Sequence, residues 1–132
     1  MPYSLLADLT ALLHGAFVAF VVFGGMFAWR WRRVVYVHLP CAAWGAVLSL
    51  MGWPCPLTPV ENHFRALAGQ AGYAGGFVAH YLIPLIYPAG MTRGIQIGLG
   101  IAVIAINAAV YAALLAAVRA ARRRRPAPAQ SR

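Results

Sequence analysis

The stretch LTALLHGAFVAFVVFGGMFAWRWRR, Leu9 to Arg33, decides the class of this chain. Its first 21 residues, Leu9 to Trp29, carry no formal charge, and Arg30, Arg32 and Arg33 then close it. An apolar helix of that length rises about 30 Å, the thickness of the hydrocarbon core of a bilayer. The same pattern recurs twice. Val34 to Trp53 is a 20-residue run without charge, with Pro40 in its second turn, where a kink is tolerable. A last run begins near Thr92, continues to Val118 and ends in RAARRRR.

Composition agrees. The 132 residues are 62% hydrophobic and 10% charged, against about a quarter charged in soluble domains. The net charge of +9 comes from eleven arginines against Asp8 and Glu61. The arginines sit beside apolar runs or in the tail, which suits anionic lipid headgroups. No aromatic-plus-basic groove pattern points to nucleic acid. The first charge is Asp8 and no Ala-x-Ala site follows the first run, so the N-terminus is expected to stay as a membrane helix rather than act as a signal peptide.

Residues 66–91 are harder. They include GQAGYAGG and FVAHYLIPLIYP, whose compact apolar part, Phe77 to Pro88, is short for a span and interrupted by Pro84. If this segment does not cross, eight arginines (30, 32, 33, 119 and 122–125) share one side and only Arg65 and Arg93 the other. The positive-inside rule favours that arrangement. The expected fold is therefore an all-α integral membrane protein, a small bundle of three full transmembrane helices (about 9–29, 34–53 and 93–118). A short or re-entrant fourth hydrophobic element (73–90) and a short interfacial helix (59–68) after the second span complete a single domain, 1–118. A four-crossing bundle is the alternative. The N-terminus would be periplasmic. Residues 119–132 would form a basic, Pro/Ala-rich, disordered cytoplasmic tail.

GWPCPLTPVENHFR, Gly52 to Arg65, looks most like chemistry. Pro54 and Pro56 stop a helix. Thr58 and Glu61 have the spacing of a capping box, with Pro59 at the first helical position. Val60, Phe64 and Leu67 recur at helical spacing, Arg65 lies one turn after Glu61, and Gly69 suits a stop. Cys55, Asn62 and His63 are left unexplained at the expected outer mouth. Cys41 and Cys55, about 20 Å apart along a helix, are not expected to form a disulfide.

His14 lies sixteen residues from Arg30, about 24 Å of helix rise, and His38 only five from Arg33, about 7 Å. The two cannot grip one haem. His14 and His80 would meet in the outer half, and with Asp8 or Glu61 they form a candidate haem or transition-metal set. The other reading of these histidines is neutral rings bonded across helix interfaces. Gln96, Asn107 and Tyr111 share a face of the last helix and, with His38, Thr10 and His14, are expected to turn inward. Gly94, Gly98, Ala102, Ala105 and Ala109 permit close helix approach, to this chain, a partner protein or a second copy.

Several blocks together resemble a family of small bacterial inner-membrane proteins, a domain of unknown function, family 2784. They are DLTALLHGAFVAFVVFGG, HLPCAAWG, GWPCPLTPVEN, AGYAGGFVAHYLIPLIYPAG and the IQIGLG to Asn107 to Tyr111 series. The resemblance spans about residues 3–112. Its most specific part holds Cys55, Pro56, Leu57, Thr58, Glu61 and Asn62. It implies the membrane class and no activity. Family members often have Glu before the histidine matching His80, where this chain has Ala79.

With one Glu, one Asp and no phosphate-binding loop, an enzyme is not expected. The function expected is that of a non-enzymatic small subunit or interaction partner in the membrane. The alternatives are a haem or metal binder using His14 and His80, and a small oligomeric transporter.

Overall fold

A computed structural model describes residues 2–124, whose regular elements are all helices, with no strand among them. Helix α1 is Pro2–Phe23 and continues as a tighter 3-10 segment, Gly24–Trp29. A single 3-10 turn, Arg32–Val34, leads into α2, Val35–Met51. Helix α3 is Leu57–Leu67. A widened π turn, Val78–Leu82, passes into the short α4, Ile83–Ile86, and α5 is Arg93–Arg123.

Three of these helices are long and apolar enough to cross a membrane: Pro2–Trp29, Arg32–Met51 and Arg93–Arg123. The helical part of residues 66–91 is Val78–Ile86, about 14 Å long, well short of the roughly 30 Å of a bilayer core. Pro84 explains its break. It has no N–H to return to the carbonyl of His80, and it falls in the first turn of α4, just after the π turn.

Large apolar side chains point outward on every long helix, among them Leu12, Tyr36 and Ile101. The inward stripes are narrow. On α1 they are Ala7, Thr10, His14 and Val21, and on α2 His38, Ala42, Ala46 and Leu48. Only Gly100 and Asn107 are buried on α5. A bundle that keeps its polar groups inside and its hydrocarbon outside is built for an apolar solvent.

Close packing depends on glycines other than the expected stripe. A Cβ on Gly45 would lie 2.9 Å from Val21, and one on Gly100 2.9 Å from Leu50. Gly94, Gly98, Ala102, Ala105 and Ala109 instead face outward. The small-residue series permits a close approach but does not say where the partner lies. In this chain the approach was taken half a turn away, at Gly100.

Helix ends differ from expectation in three places. First, α1 begins at Pro2, seven residues before the charge-free run. Second, α5 persists through Arg123, so the basic segment from Arg119 begins as helix; residues 125–132 of the tail lie outside the described residues. Third, α3 starts at Leu57 and has no capping box. Pro56 holds the cap position, the Thr58 hydroxyl has no partner, and Glu61 bonds elsewhere.

Helix α2 stops by a Schellman turn. Gly52 adopts φ 71°, its N–H reaches Ser49 O at 3.3 Å, and Trp53 N–H reaches Leu48 O at 2.9 Å. The guanidinium of Arg93 covers the remaining carbonyls, donating to Ser49 O at 3.3 Å and to Leu50 O. Arg93 thereby joins the start of α5 to the end of α2. Thr92 caps α5 by accepting from Ile95 N–H at 3.2 Å. Arg93→Ala is expected to lower stability by about 1 kcal/mol, since the site is solvent-exposed and water replaces part of the bonding. Arg93→Lys should restore less than half, because an ammonium lacks the fork that reaches two carbonyls. Thermal unfolding of the three proteins in one detergent checks both.

Candidate functional site

Glu61 is, with His38, one of the two largest fully buried side chains, and lies on the inward face of α3. Its carboxylate accepts from the Tyr73 hydroxyl at 2.7 Å and the Tyr81 hydroxyl at 2.9 Å. Arg65, one turn along, brings Nη1 within 3.8 Å of Glu61 and also donates to the Tyr81 oxygen at 3.3 Å. Burial, and then the bond to Glu61, raises the pKa of both tyrosines above the ordinary value. They remain protonated donors across the physiological range.

The backbone between the two tyrosines is pinned as well. Asn62 grips Tyr73 at both main-chain groups: Nδ2 donates to Tyr73 O at 2.8 Å, and Oδ1 accepts from Tyr73 N–H at 3.1 Å. Arg65 Nε donates to Ala71 O at 2.8 Å. Gly75 and Gly76, at φ 87° and 91°, then reverse the chain in a conformation that side chains rarely adopt. Phe77 is delivered against His14, ring centroids 4.5 Å apart, where Gly15 leaves room for it. Glu61, Asn62 and Arg65 thus form a latch holding residues 71–81 on α3 and α1.

The latched segment walls one side of an apolar cavity of about 270 Å³. Phe17, Val21, Leu48, Phe77, Leu82 and Leu99 supply much of its surface. His14, Ser49, Cys55 and Gln96 add the polar atoms, and Ala79 lies on the latched wall. His14 is 2% exposed, and its Nδ1 has no hydrogen-bond partner.

The candidate ligand set is not assembled as a metal centre. His80 is exposed and stacks on Tyr73 at 4.1 Å, while His14 stacks on Phe77. Asp8 is exposed, and both oxygens of Glu61 are taken by tyrosines. No three His, Cys, Asp or Glu side chains converge among the described residues. Cys41 and Cys55 are both free thiols.

Of the polar residues expected to turn inward on the long helices, His38, Tyr111 and Asn107 come together. His38 is fully buried; its Nδ1 lies 2.7 Å from the Tyr111 hydroxyl and its Nε2 3.4 Å from Val21 O. A neutral ring protonated at Nε2 satisfies both contacts, donating to Val21 O and accepting from Tyr111. Asn107 Nδ2 donates to the same Val21 O at 3.0 Å and to Val103 O at 2.9 Å. Gln96 stays nearer the surface, accepting from Arg93 at 3.4 Å. Tyr73, Tyr81 and Phe77 carry the latch yet escaped the sequence reading. The one signal for them was Glu61 itself, an acid in an apolar chain that needs donors.

Three helices long and apolar enough to cross a membrane, tied by the His38–Tyr111 network and the Glu61 latch, make up a small protein whose described elements are all helical. The chain belongs to the DUF2784 family, described as a protein of unknown function, whose profile matches residues 4–112. The match takes in the latch, the cavity and the His38–Asn107–Tyr111 network. No curated protein and no solved structure matches the chain.

Proposed function

We propose that this protein is a non-enzymatic, multi-pass protein of the bacterial inner membrane that works by holding a small apolar molecule. The cavity beside His14 carries this reading. Concave sites that are mainly apolar with a few polar groups are the usual form of small-molecule sites. Two of the ionisable groups are engaged in structural bonds, Glu61 with two tyrosines and His38 with Tyr111 and Val21 O. Such a protein would act as a small subunit or interaction partner. The outward Gly94, Gly98 and Ala102 face suits a second helix, and the arginine clusters suit anionic headgroups.

Native mass spectrometry of protein extracted from its membrane tests the reading. The wild type should carry a lipid-soluble adduct, and Ala79→Phe, which fills the cavity from the latched wall, should lose it at similar thermal stability. A wild type without adduct, or identical adducts on both proteins, would overturn it.

The arginine distribution supports an orientation with the N-terminus and Cys55 outside and the tail in the cytoplasm. In a Cys41→Ser background, a membrane-impermeant maleimide should label Cys55 in intact spheroplasts. Labelling only after the membrane is opened would reverse the orientation.

A further inference from the structure

We infer that the molecule held in the cavity is neutral and lipid-soluble, a hydrocarbon body bearing a carbonyl or hydroxyl oxygen that hydrogen-bonds the imidazole of His14. This rests on the reading that the cavity holds a guest. Three observations on the site select the chemistry.

The first is the unspent imidazole. His14 is 2% exposed, lines the cavity, stacks on Phe77, and has an Nδ1 with no partner. Buried polar groups are nearly always bonded, and an orphaned one is unfavourable by about 1–3 kcal/mol. A carbonyl satisfies this nitrogen when it carries the proton, and a hydroxyl satisfies it in either tautomer.

The second is the hydrocarbon wall. Apart from a few polar atoms the lining is aliphatic and aromatic, from Phe17 and Val21 to Leu82 and Leu99. A guest that was polar throughout would leave most of its own groups unbonded.

The third is charge. No Arg, Lys, Asp or Glu lines the cavity. Arg65 is paired with Glu61 at 3.8 Å and lies outside the lining, so it gives a carboxylate in the cavity no counter-ion. Arg93 does not supply one, because its guanidinium is spent on the α2 carbonyls and Gln96. A carboxylate-headed guest would therefore be buried with no cation in the lining to meet it, whereas a neutral oxygen meets no such barrier.

Trp53 lines the same cavity and supplies the readout. In a full-length protein carrying Trp29→Phe, Trp31→Phe and Trp44→Phe, bromine-tagged probes in lipid nanodiscs quench Trp53 as they bind. The probes are 12-bromododecanol, 1-bromododecane and, at alkaline pH, 12-bromododecanoate. The alcohol should reach half of its saturable quenching at about a tenfold lower mole fraction than the alkane, as one buried hydrogen bond allows, and the carboxylate should not exceed the alkane. His14→Phe should bring the alcohol to the level of the alkane without changing the alkane. His14→Gln, which keeps a donor and an acceptor, should retain part of the preference. Ala79→Phe should remove the saturable component for all three.

Equal binding of alcohol and alkane, a preference that survives His14→Phe, or strongest binding of the carboxylate would each overturn the inference while leaving the cavity reading intact. Absence of saturable quenching by every probe would overturn the cavity reading itself.

Discussion

Glu61→Ala is expected to destabilise the protein by about 3 kcal/mol and to free residues 71–81 first. Each tyrosine bond to a buried carboxylate contributes about 1.5–3 kcal/mol. Both are lost together, at 2.7 and 2.9 Å. The full sum is not reached, because Tyr73 and Tyr81 are only partly buried and regain water. Glu61→Gln keeps the volume but presents an NH2 where one hydroxyl must donate, so about half the loss is expected. Tyr73→Phe and Tyr81→Phe should each lower stability by about 1–2 kcal/mol. The ion pair with Arg65 matters less, being 3.8 Å long and partly exposed.

Hydrogen exchange separates this latch from general packing. The Tyr73 amide, held by Asn62 Oδ1, should lose protection in Glu61→Ala while the amides of α5 keep theirs. Equal loss in both places would mean that Glu61 supports the whole bundle rather than this segment. The pH dependence has a definite sign. Both tyrosines have pKa values raised by folding, so their contribution is complete below the unfolded value of about 10 and is lost as pH rises beyond it. Protection at Tyr73 should be flat from neutral pH to about 9 and fall above about 10.

The contrast between the latch and the spans shows which information is local. Span length, charge-free composition and flanking arginines all lie within about 25 consecutive residues, and the three long helices follow from them. The inner network was legible in kind. Asn107, Tyr111 and His38 sit at positions where hydrocarbon would leave them unbonded, so they must turn toward one another. The outer motif was misread for a physical reason. Thr58 and Glu61 have the spacing of a capping box, but that spacing also puts both on one helical face. Burial of that face against α1 offered Glu61 two tyrosine hydroxyls 12 and 20 residues away, stronger partners than one exposed backbone N–H. The surroundings of His14 and His80 were likewise not legible. Once Asn62 and the Gly75–Gly76 turn place Tyr73 and Phe77, each histidine has an aromatic face to stack on and the two rings are held by different neighbours.

Gly24→Ala is expected to be the most damaging single-methyl change around the His38 network, at about 3 kcal/mol. A Cβ there would stand 2.5 Å from His38 Cδ2 and 2.7 and 2.8 Å from two atoms of the Phe20 ring. Overpacking of this kind is usually unfavourable by 1–3 kcal/mol and sometimes more, and the helical preference of Ala over Gly returns about 1. The upper end applies because His38 cannot retreat. Its ring is fully buried and fixed from opposite sides by Tyr111 and Val21 O, and moving it breaks the bond at 2.7 Å. A double-mutant cycle isolates the cause. With His38 already shortened to Ala, Gly24→Ala should cost about 1 kcal/mol or less, a coupling of about 2 kcal/mol. The competing explanation is that Gly24 serves only the change from α to 3-10 winding at Phe23–Gly24. It predicts the same cost in both backgrounds, so an uncoupled cycle would remove His38 from the account and leave the backbone turn as the reason for glycine.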